Sequence, residues 1–267
     1  MNHAPTLAAS HASLPPEGAR SALGRPGGGA ATMAPRTRIK ICGLTREPDV
    51  DAAVAAGVDA VGFVLYPKSP RFVTPQRAAE LARRLPPLVT PVLLFVNASA
   101  TEIEAAAAIV TPAILQFHGD ESPQACMAAA QQAHCPFWRA ARIPSDIASG
   151  FDLLEFAYDY SAAQALLLDA QVDGYGGGGK TFDWSRLPTN VPAHLVLSGG
   201  LTPANVGAGL SALRGRGHSL AVDVSSGVEA DGPGGKPLKG IKDAEKIMRF
   251  VAAVRASDAH LAGLNTP

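Results

Sequence analysis

The sequence lacks an excess of charge of either sign, since 23 Lys and Arg residues balance 23 Asp and Glu residues in 267. Proteins that bind nucleic acid or anionic membranes usually carry a basic excess, so neither partner is expected. Cysteine is scarce, and Cys42, Cys126 and Cys135 form no Cys-x-x-Cys pair. This spacing argues against a zinc ribbon and a disulfide framework, and it favours a reducing compartment.

Long apolar segments are also missing. No stretch approaches the roughly 18 uninterrupted apolar residues of a transmembrane helix. The first residues lack the apolar region of a secretory signal. We therefore expect a cytoplasmic protein without a membrane partner.

The first part of the chain has no periodic apolar pattern. Residues 1–35 are rich in Ala, Gly, Pro and Ser, and such a segment buries too little apolar surface to offset the entropy of ordering it. They are predicted to form a disordered tail. The arginines of this segment and its single acidic residue, Glu17, leave a transit peptide as an alternative.

From Arg38 onward, short β-rich runs alternate with Ala-rich amphipathic runs, which is typical of βα units around a parallel sheet. The predicted strands are Arg38–Leu44, Asp59–Tyr66, Pro91–Asn97, Ala113–His118, Phe137–Ile143, Ala165–Ala170, His194–Ser198 and Leu220–Ser225. Eight parallel strands favour one closed (β/α)8 barrel, the TIM-barrel architecture, over an open doubly wound sheet. This domain is predicted over residues 36–257, with a C-terminal tail at 258–267.

Helices are predicted after most of these strands, four of them with a proline near their first position, where the missing N–H costs nothing. The predicted helices are Pro48–Ala56, Pro75–Leu85, Thr101–Val110, Pro123–Ala133, Pro203–Leu213 and Asp243–Val254. The sixth unit is the weakest, because residues 172–188 are glycine-rich and leave room for only a short helix.

The active site of such a barrel lies at the C-terminal ends of its strands, and the loops after strands 7 and 8 often bind phosphate. After the seventh predicted strand, Gly199 and Gly200 allow close backbone approach to an anion, and Thr202 is predicted to cap the following helix. The loop after the eighth contributes Ser225, Ser226 and Gly227. Each loop alone could be an ordinary turn, but the two together predict a phosphate site.

Cys42 and Asp169 end the first and sixth predicted strands. Alone, a single thiol is more typical of packing, and the carboxylate could be a loop cap. Placed at one barrel mouth with a phosphate site, and without a cluster of metal ligands, they suggest proton transfer on a phosphorylated substrate. His118 could contact substrate or serve the scaffold equally well.

Residues 174–181 match the G-x-x-x-x-G-K-[ST] pattern of a P-loop. That motif requires a long helix directly after it, whereas Pro188 follows too soon. A glycine-rich lid with Lys180 directed at the substrate is the preferred interpretation.

The chain resembles the phosphoribosylanthranilate isomerase family from about Arg38 to Val254. The motifs that carry the resemblance are Ile39–Thr45, Lys68–Arg71, Leu115–Glu121, Gly178–Trp184, Ser198–Leu201 and Asp223–Glu229. Phe117 departs from the aliphatic residue that is more usual in this family.

The resemblance implies an Amadori rearrangement in tryptophan biosynthesis, performed without metal or organic cofactor. It implies that Cys42 is the general base that takes the C2′ proton and that Asp169 is the general acid at the ring oxygen. It further implies that Arg71 and Asp223 orient the anthranilate end of the substrate. The small-molecule phosphorylated substrate is the expected partner, and the chain is expected to be a monomer or a homodimer.

Two classes of alternative remain. Another sugar-phosphate barrel enzyme, such as an indole-glycerol-phosphate synthase or a pentose-phosphate epimerase, would show an early essential lysine or metal-binding histidines, neither of which is visible. A P-loop nucleotide-binding module would lose ATP binding on Lys180→Ala.

Overall fold

The computed structural model describes residues 36–144, 150–171 and 181–263. Eight parallel strands close into a barrel in sequence order, with β1 paired to both β2 and β8. The strands are β1 (Arg38–Cys42), β2 (Ala60–Val64), β3 (Thr90–Phe95), β4 (Ile114–Phe117), β5 (Phe137–Ile143), β6 (Ala165–Ala170), β7 (His194–Leu197) and β8 (Ser219–Val224). The predicted (β/α)8 barrel is confirmed.

The described helices surround the barrel as α1 (Glu47–Ala55), α2 (Pro75–Ala82), α3 (Ala100–Ile109), α4 (Pro123–Gln132), α5 (Leu153–Asp159), α6 (Val206–Leu213) and α7 (Ala244–Gly263). Capping explains where several begin. The side chains of Thr74, Ser99 and Ser122 accept hydrogen bonds from the first turns of α2, α3 and α4, and Asp243 accepts one from the backbone N–H of Lys246.

Helix α6 begins later than predicted, so the prediction of Thr202 as N-cap and Pro203 as first helical residue is wrong. The reason lies in Asn205, whose Oδ1 accepts from the Thr202 N–H at 2.8 Å and whose Nδ2 donates to the Gly200 carbonyl at 2.9 Å. These bonds close a turn before the helix starts, and the first helical residue is Val206.

The sequence patterns missed two elements, helix α5 and a hairpin of β9 (Glu229–Asp231) with β10 (Pro237–Lys242). In the sixth unit the described helix is a single 3₁₀ turn, Trp184–Arg186. The predicted end of the barrel at 257 falls inside α7, which continues to Gly263. The predicted tail at 1–35 and the glycine-rich loop up to Lys180 lie outside the described residues.

The core has two parts. The larger lies between barrel and helices, and a small cluster of Ala140, Ala165, Leu167 and Val196 packs separately. Side chains two positions apart on a strand share a face. The residues two positions after Leu167 and Val196 are Asp169 and Ser198, so a layer of polar side chains lies above this small apolar layer, at the C-terminal mouth.

Candidate active site

Cys42 lies at the end of β1 and is 4% exposed. Lys40 stands two residues earlier on the same face of the strand and is 2% exposed. Its Nζ lies 2.8 Å from Oδ1 of Asp223 on the neighbouring strand β8, and Ser198 Oγ donates to the other carboxylate oxygen at 3.3 Å. The thiol therefore belongs to a buried cluster with one ammonium and one carboxylate.

Burial raises the pKa of the Cys42 thiol above its usual value, the charge of Lys40 opposes that rise, and Asp223 adds to it. Burial by itself would lower the pKa of Lys40, but Asp223 and the thiol outweigh burial and raise it. The cluster therefore favours the charged form of Lys40, whereas burial of the thiol disfavours the thiolate of Cys42.

Asp169, at the end of β6, faces the side chain of His118. His118 Nε2 lies 3.0 Å from Asp169 Oδ2, and Gln116 Nε2 lies 3.0 Å from His118 Nδ1. All three side chains are buried, and Oε1 of Gln116 has no hydrogen-bond partner among the described residues. The other oxygen of Asp169 accepts from the N–H of Ala170 at 3.0 Å. The carboxyl group is thus held at two points.

The backbone of the loop after β7 passes very close to the end of β6. Gly199 and Gly200 have φ values of 78° and 61°, which side chains disfavour. A Cβ on Gly199 would stand 2.7 Å from the Ala170 nitrogen and 2.9 Å from Oδ1 of Asp169. Only glycine therefore lets this loop pass directly over the candidate acid.

The loop after β8 touches the loop after β7. A Cβ on Gly227 would lie 1.9 Å from the carbonyl oxygen of Leu201, so the two predicted phosphate loops are in backbone contact there. Ser225, Ser226 and Gly227 are partly exposed at the mouth, as are Gly199 and Gly200. Both predicted phosphate segments therefore form one surface.

Sequence patterns did not identify a charged cluster that supports the loop after β8. Glu229 accepts two hydrogen bonds from Arg71, at 2.6 and 2.9 Å, and Lys242 Nζ lies 3.3 Å from it. Lys242 also donates to the Ser225 carbonyl at 2.8 Å. Arg71, Glu229 and Lys242 lie far apart in the sequence, so no local sequence pattern links them. The hairpin of β9 and β10 brings Glu229 and Lys242 together.

Burial would raise the pKa of Glu229, but the hydrogen bonds from Arg71 and the charge of Lys242 outweigh burial and hold it below its usual value. Burial lowers the pKa of Lys242 to about 8, against the attraction of Glu229. Lys242 is therefore a buried cation whose charge changes near neutral pH, next to a predicted phosphate loop.

The strand order places these groups in sequence around the mouth. Asp169 ends β6, the two loops follow β7 and β8, and Cys42 ends β1, which pairs with β8. The loops reach both ends of this arc, since Gly199 packs on Asp169 and a Cβ on Gly43 would lie 3.2 Å from Ser225 Oγ. The candidate acid, the predicted phosphate surface and the candidate base are therefore contiguous.

Of the predicted site residues, Lys180 alone lies outside the described ranges. Arg71 and Asp223 are buried and engaged in ion pairs with Glu229 and Lys40. Among residues 36–144, 150–171 and 181–263, no group of three or more His, Cys, Asp or Glu side chains could hold a metal ion. No described helix is long and apolar enough to cross a membrane.

Comparison of this chain with known proteins identifies its family. A family model described as N-(5'phosphoribosyl)anthranilate (PRA) isomerase matches residues 39–253. The N-(5'-phosphoribosyl)anthranilate isomerase of Methylibium petroleiphilum is 60% identical over 227 residues, which cover 85% of this chain and 98% of that protein.

Solved structures agree. The crystal structure of phosphoribosyl anthranilate isomerase from Thermotoga maritima has 37% identity and a TM-score of 0.67, and the match covers 82% of this chain and 99% of that chain. A structure of the isomerase in complex with reduced 1-(o-carboxyphenylamino)-1-deoxyribulose 5-phosphate has 34% identity and a TM-score of 0.64, with the same coverage. The chain belongs to the phosphoribosylanthranilate isomerase family.

Proposed function

We propose that this chain catalyses the Amadori rearrangement of N-(5-phosphoribosyl)anthranilate to 1-(2-carboxyphenylamino)-1-deoxyribulose 5-phosphate, a step of tryptophan biosynthesis. The observation that carries this proposal is the arc at the barrel mouth, where the loops of Gly199 and Ser225 separate Asp169 from Cys42. Family membership over residues 39–253 supports the same reaction.

Asp169 acts as the general acid. It gives its proton to the furanose ring oxygen while the bond between that oxygen and C1′ breaks, and the lone pair of the anthranilate nitrogen forms a C1′=N bond. His118, 3.0 Å away, and the Ala170 N–H fix the direction of this carboxyl group. A general acid needs such fixed placement relative to the accepting atom.

Cys42 acts as the general base. Its thiolate takes the C2′ proton, the C–H electron pair forms a C1′=C2′ bond, and the C=N electrons return to nitrogen. Loss of the hydroxyl proton at C2′ and gain of a proton at C1′ then give the ketone. The reaction is an isomerisation, so protons and electrons balance without a cofactor.

The rest of the predicted site binds the substrate. Gly199, Gly200, Ser225, Ser226 and Gly227 form the phosphate surface, with the charge of Lys242 behind Ser225. Arg71 and Asp223 orient the anthranilate end of the substrate. His118 contacts both the substrate and Asp169. A role of Lys180 in closing the site stays a prediction, since that residue lies outside the described ranges.

Conversion of freshly generated phosphoribosylanthranilate, followed by the fluorescence of the anthranilate group with EDTA present, tests this function. We expect activity for the parent chain and at least a hundredfold loss for Cys42→Ala and for Asp169→Ala, as removal of a general acid or base implies. Cys135→Ala is the matched control, because this cysteine lies outside the mouth, two residues before the start of β5.

An inactive parent overturns the proposed reaction. An active Cys42→Ala or Asp169→Ala variant overturns the corresponding proton-transfer role. Activity that EDTA abolishes would contradict the expectation that no metal takes part. Light scattering on the same samples distinguishes the predicted monomer from the predicted homodimer.

A further inference from the structure

We propose that Lys40 is the residue that activates Cys42: its ammonium group, oriented by Asp223, stabilises the thiolate that acts as the general base. This inference rests on the proposed function, because it concerns the base assigned there. Lys40 acts through the thiol and is therefore a positioning residue rather than a catalytic one.

The geometry starts from the strand. Lys40 and Cys42 are two residues apart on β1, so their side chains share the inner face. Across from them, β2 has Gly62 opposite Cys42 in the strand register. A Cβ on this glycine would lie 2.7 Å from Sγ of Cys42 and 3.0 Å from Nζ of Lys40. The sulfur and the ammonium group therefore lie on the same side of Gly62, which has no side chain to separate them.

The hydrogen-bonding capacity of Lys40 fits this role. An ammonium group has three N–H donors. One donor faces Oδ1 of Asp223 at 2.8 Å, which leaves two donors for other partners. Asp223 holds the ammonium in place, and Ser198 Oγ donates to the second oxygen of Asp223 at 3.3 Å. A lysine that is 2% exposed in a barrel interior needs such a partner, because an unpaired buried charge is unfavourable.

The other groups around the thiol do not replace Lys40. Asp223 is negative and opposes ionisation of the thiol, and Lys242, on β10, assists it more weakly than Lys40 does. Gly62 on β2 carries no charge. Arg71, which approaches the neighbouring Gly43, has its own carboxylate partner in Glu229. Among the described cations, Lys40 thus has the largest effect on the thiol, and its Nζ lies beside Gly62, as the sulfur does.

The test compares Lys40 with its partner Asp223. Removing their opposite charges should shift the titration of the Cys42 thiol in opposite directions. Lys40→Met removes the positive charge and should shift the titration of the Cys42 thiol to higher pH by about one to two units, which lies within the range for a nearby opposite charge. Asp223→Asn removes the negative charge and should shift the same titration to lower pH. A structural defect would move both variants in one direction.

Two measurements follow these shifts. The first is thiolate absorbance at 240 nm against pH in the free protein, taken as the difference from Cys42→Ser so that Cys126 and Cys135 cancel. The second is the pH profile of kcat/KM. For Lys40→Met we expect roughly a ten- to hundredfold loss at pH 7 that is recovered as pH rises, because the shift of one to two units moves the basic limb without removing the base.

Lys40→Met leaves Asp223 buried without its partner and could unfold the protein. The double variant Lys40→Met/Asp223→Asn removes both charges, and circular dichroism checks its fold. Its thiol should still titrate above that of the parent, since Lys40 affects the thiol more strongly than Asp223 does.

A thiol titration that is unchanged in folded Lys40→Met or in the double variant overturns the proposal and leaves the assignment of Cys42 as base intact. Full activity of Cys42→Ser overturns that assignment and, with it, the proposed activation of the thiol by Lys40. A loss of kcat/KM in Lys40→Met that is the same at every pH also overturns the proposal, because activation of a thiol must show in the pH profile.

Discussion

His118 Nε2 lies 3.0 Å from Oδ2 of Asp169, and Nδ1 of the same ring lies 3.0 Å from Nε2 of Gln116. The ring is buried between the two side chains. The hydrogen bond between Gln116 and one ring nitrogen therefore helps to set whether the other ring nitrogen donates to Asp169 or accepts from it. Gln116 and His118, at the end of β4, thus orient the carboxyl group of Asp169 at the end of β6.

Replacing His118 tests this relationship. For His118→Leu we expect kcat to fall by about ten- to hundredfold, which is below the full effect of losing an acid or base, with a smaller change in KM. Gln116→Leu should change kcat in the same direction and less strongly. Steady-state kinetics measures both, with the exposed Gln132→Leu as control. A rise in KM alone would indicate that His118 binds substrate and does not orient Asp169.

Gly199 and Gly215 form a matched pair for the phosphate loop. Their φ values are 78° and 81°, so alanine at either site carries a similar backbone strain of about 1 kcal/mol or more. A Cβ on Gly215 meets nothing within 4 Å, whereas one on Gly199 meets Ala170 and Asp169.

We therefore expect Gly199→Ala to raise KM and lower kcat, and Gly215→Ala to lose stability only. Thermal unfolding and kinetics on the two variants check this difference. Equal kinetics in both variants would contradict a role for the Gly199 loop in binding phosphate.

Lys242 predicts a pH dependence of anion binding. Because its pKa is lowered to about 8, the free protein loses this positive charge as pH rises through 8. Inorganic phosphate, a competitive inhibitor if the phosphate surface is correct, should therefore inhibit less strongly above pH 8. In Lys242→Met this decline should disappear while inhibition is weaker at pH 7. An identical decline in the variant would assign the effect to another group.

Glu229 predicts a loss of stability in acid. Its pKa in the folded protein is held below its usual value of 4.5, so the stability that its ionised form contributes is present above that value and is lost as pH falls through the lowered pKa. Glu229→Gln should cost about 3–5 kcal/mol at pH 7, since it leaves two buried cations without their carboxylate.

The variant should also show a shallower fall of the melting temperature between pH 5 and 3, the interval around the usual glutamate pKa. Thermal unfolding across that pH range measures both effects. Asp231→Asn, an exposed residue of the same hairpin, is the control. Parallel pH curves for parent and Glu229→Gln would contradict the contribution assigned to Glu229.

The barrel itself could be predicted because its signals are local. Apolar strands such as Ala165–Ala170 are covered on both sides, and Pro75 and Pro123 stand at the first helical positions. The start of α6 could not be predicted from Pro203, because the side chain of Asn205 closes a competing turn through the Gly200 carbonyl. Helix α5 is short, and its seven residues gave too weak a periodic pattern.

The fold class and the segments proposed to carry the chemistry could be predicted from the order of residues along the chain. Cys42, Asp169 and the glycine-rich loops stand at strand ends, and strand ends follow from local apolar patterns. The charges that those residues face follow from the folded chain alone. Closure of the barrel pairs β1 with β8 and so places Asp223 on Lys40, and the β9–β10 hairpin places Lys242 on Glu229. Electrostatic contacts depend on the distance between two groups in space. Residues far apart in the sequence come close only when the chain folds, so local sequence patterns do not reveal these contacts.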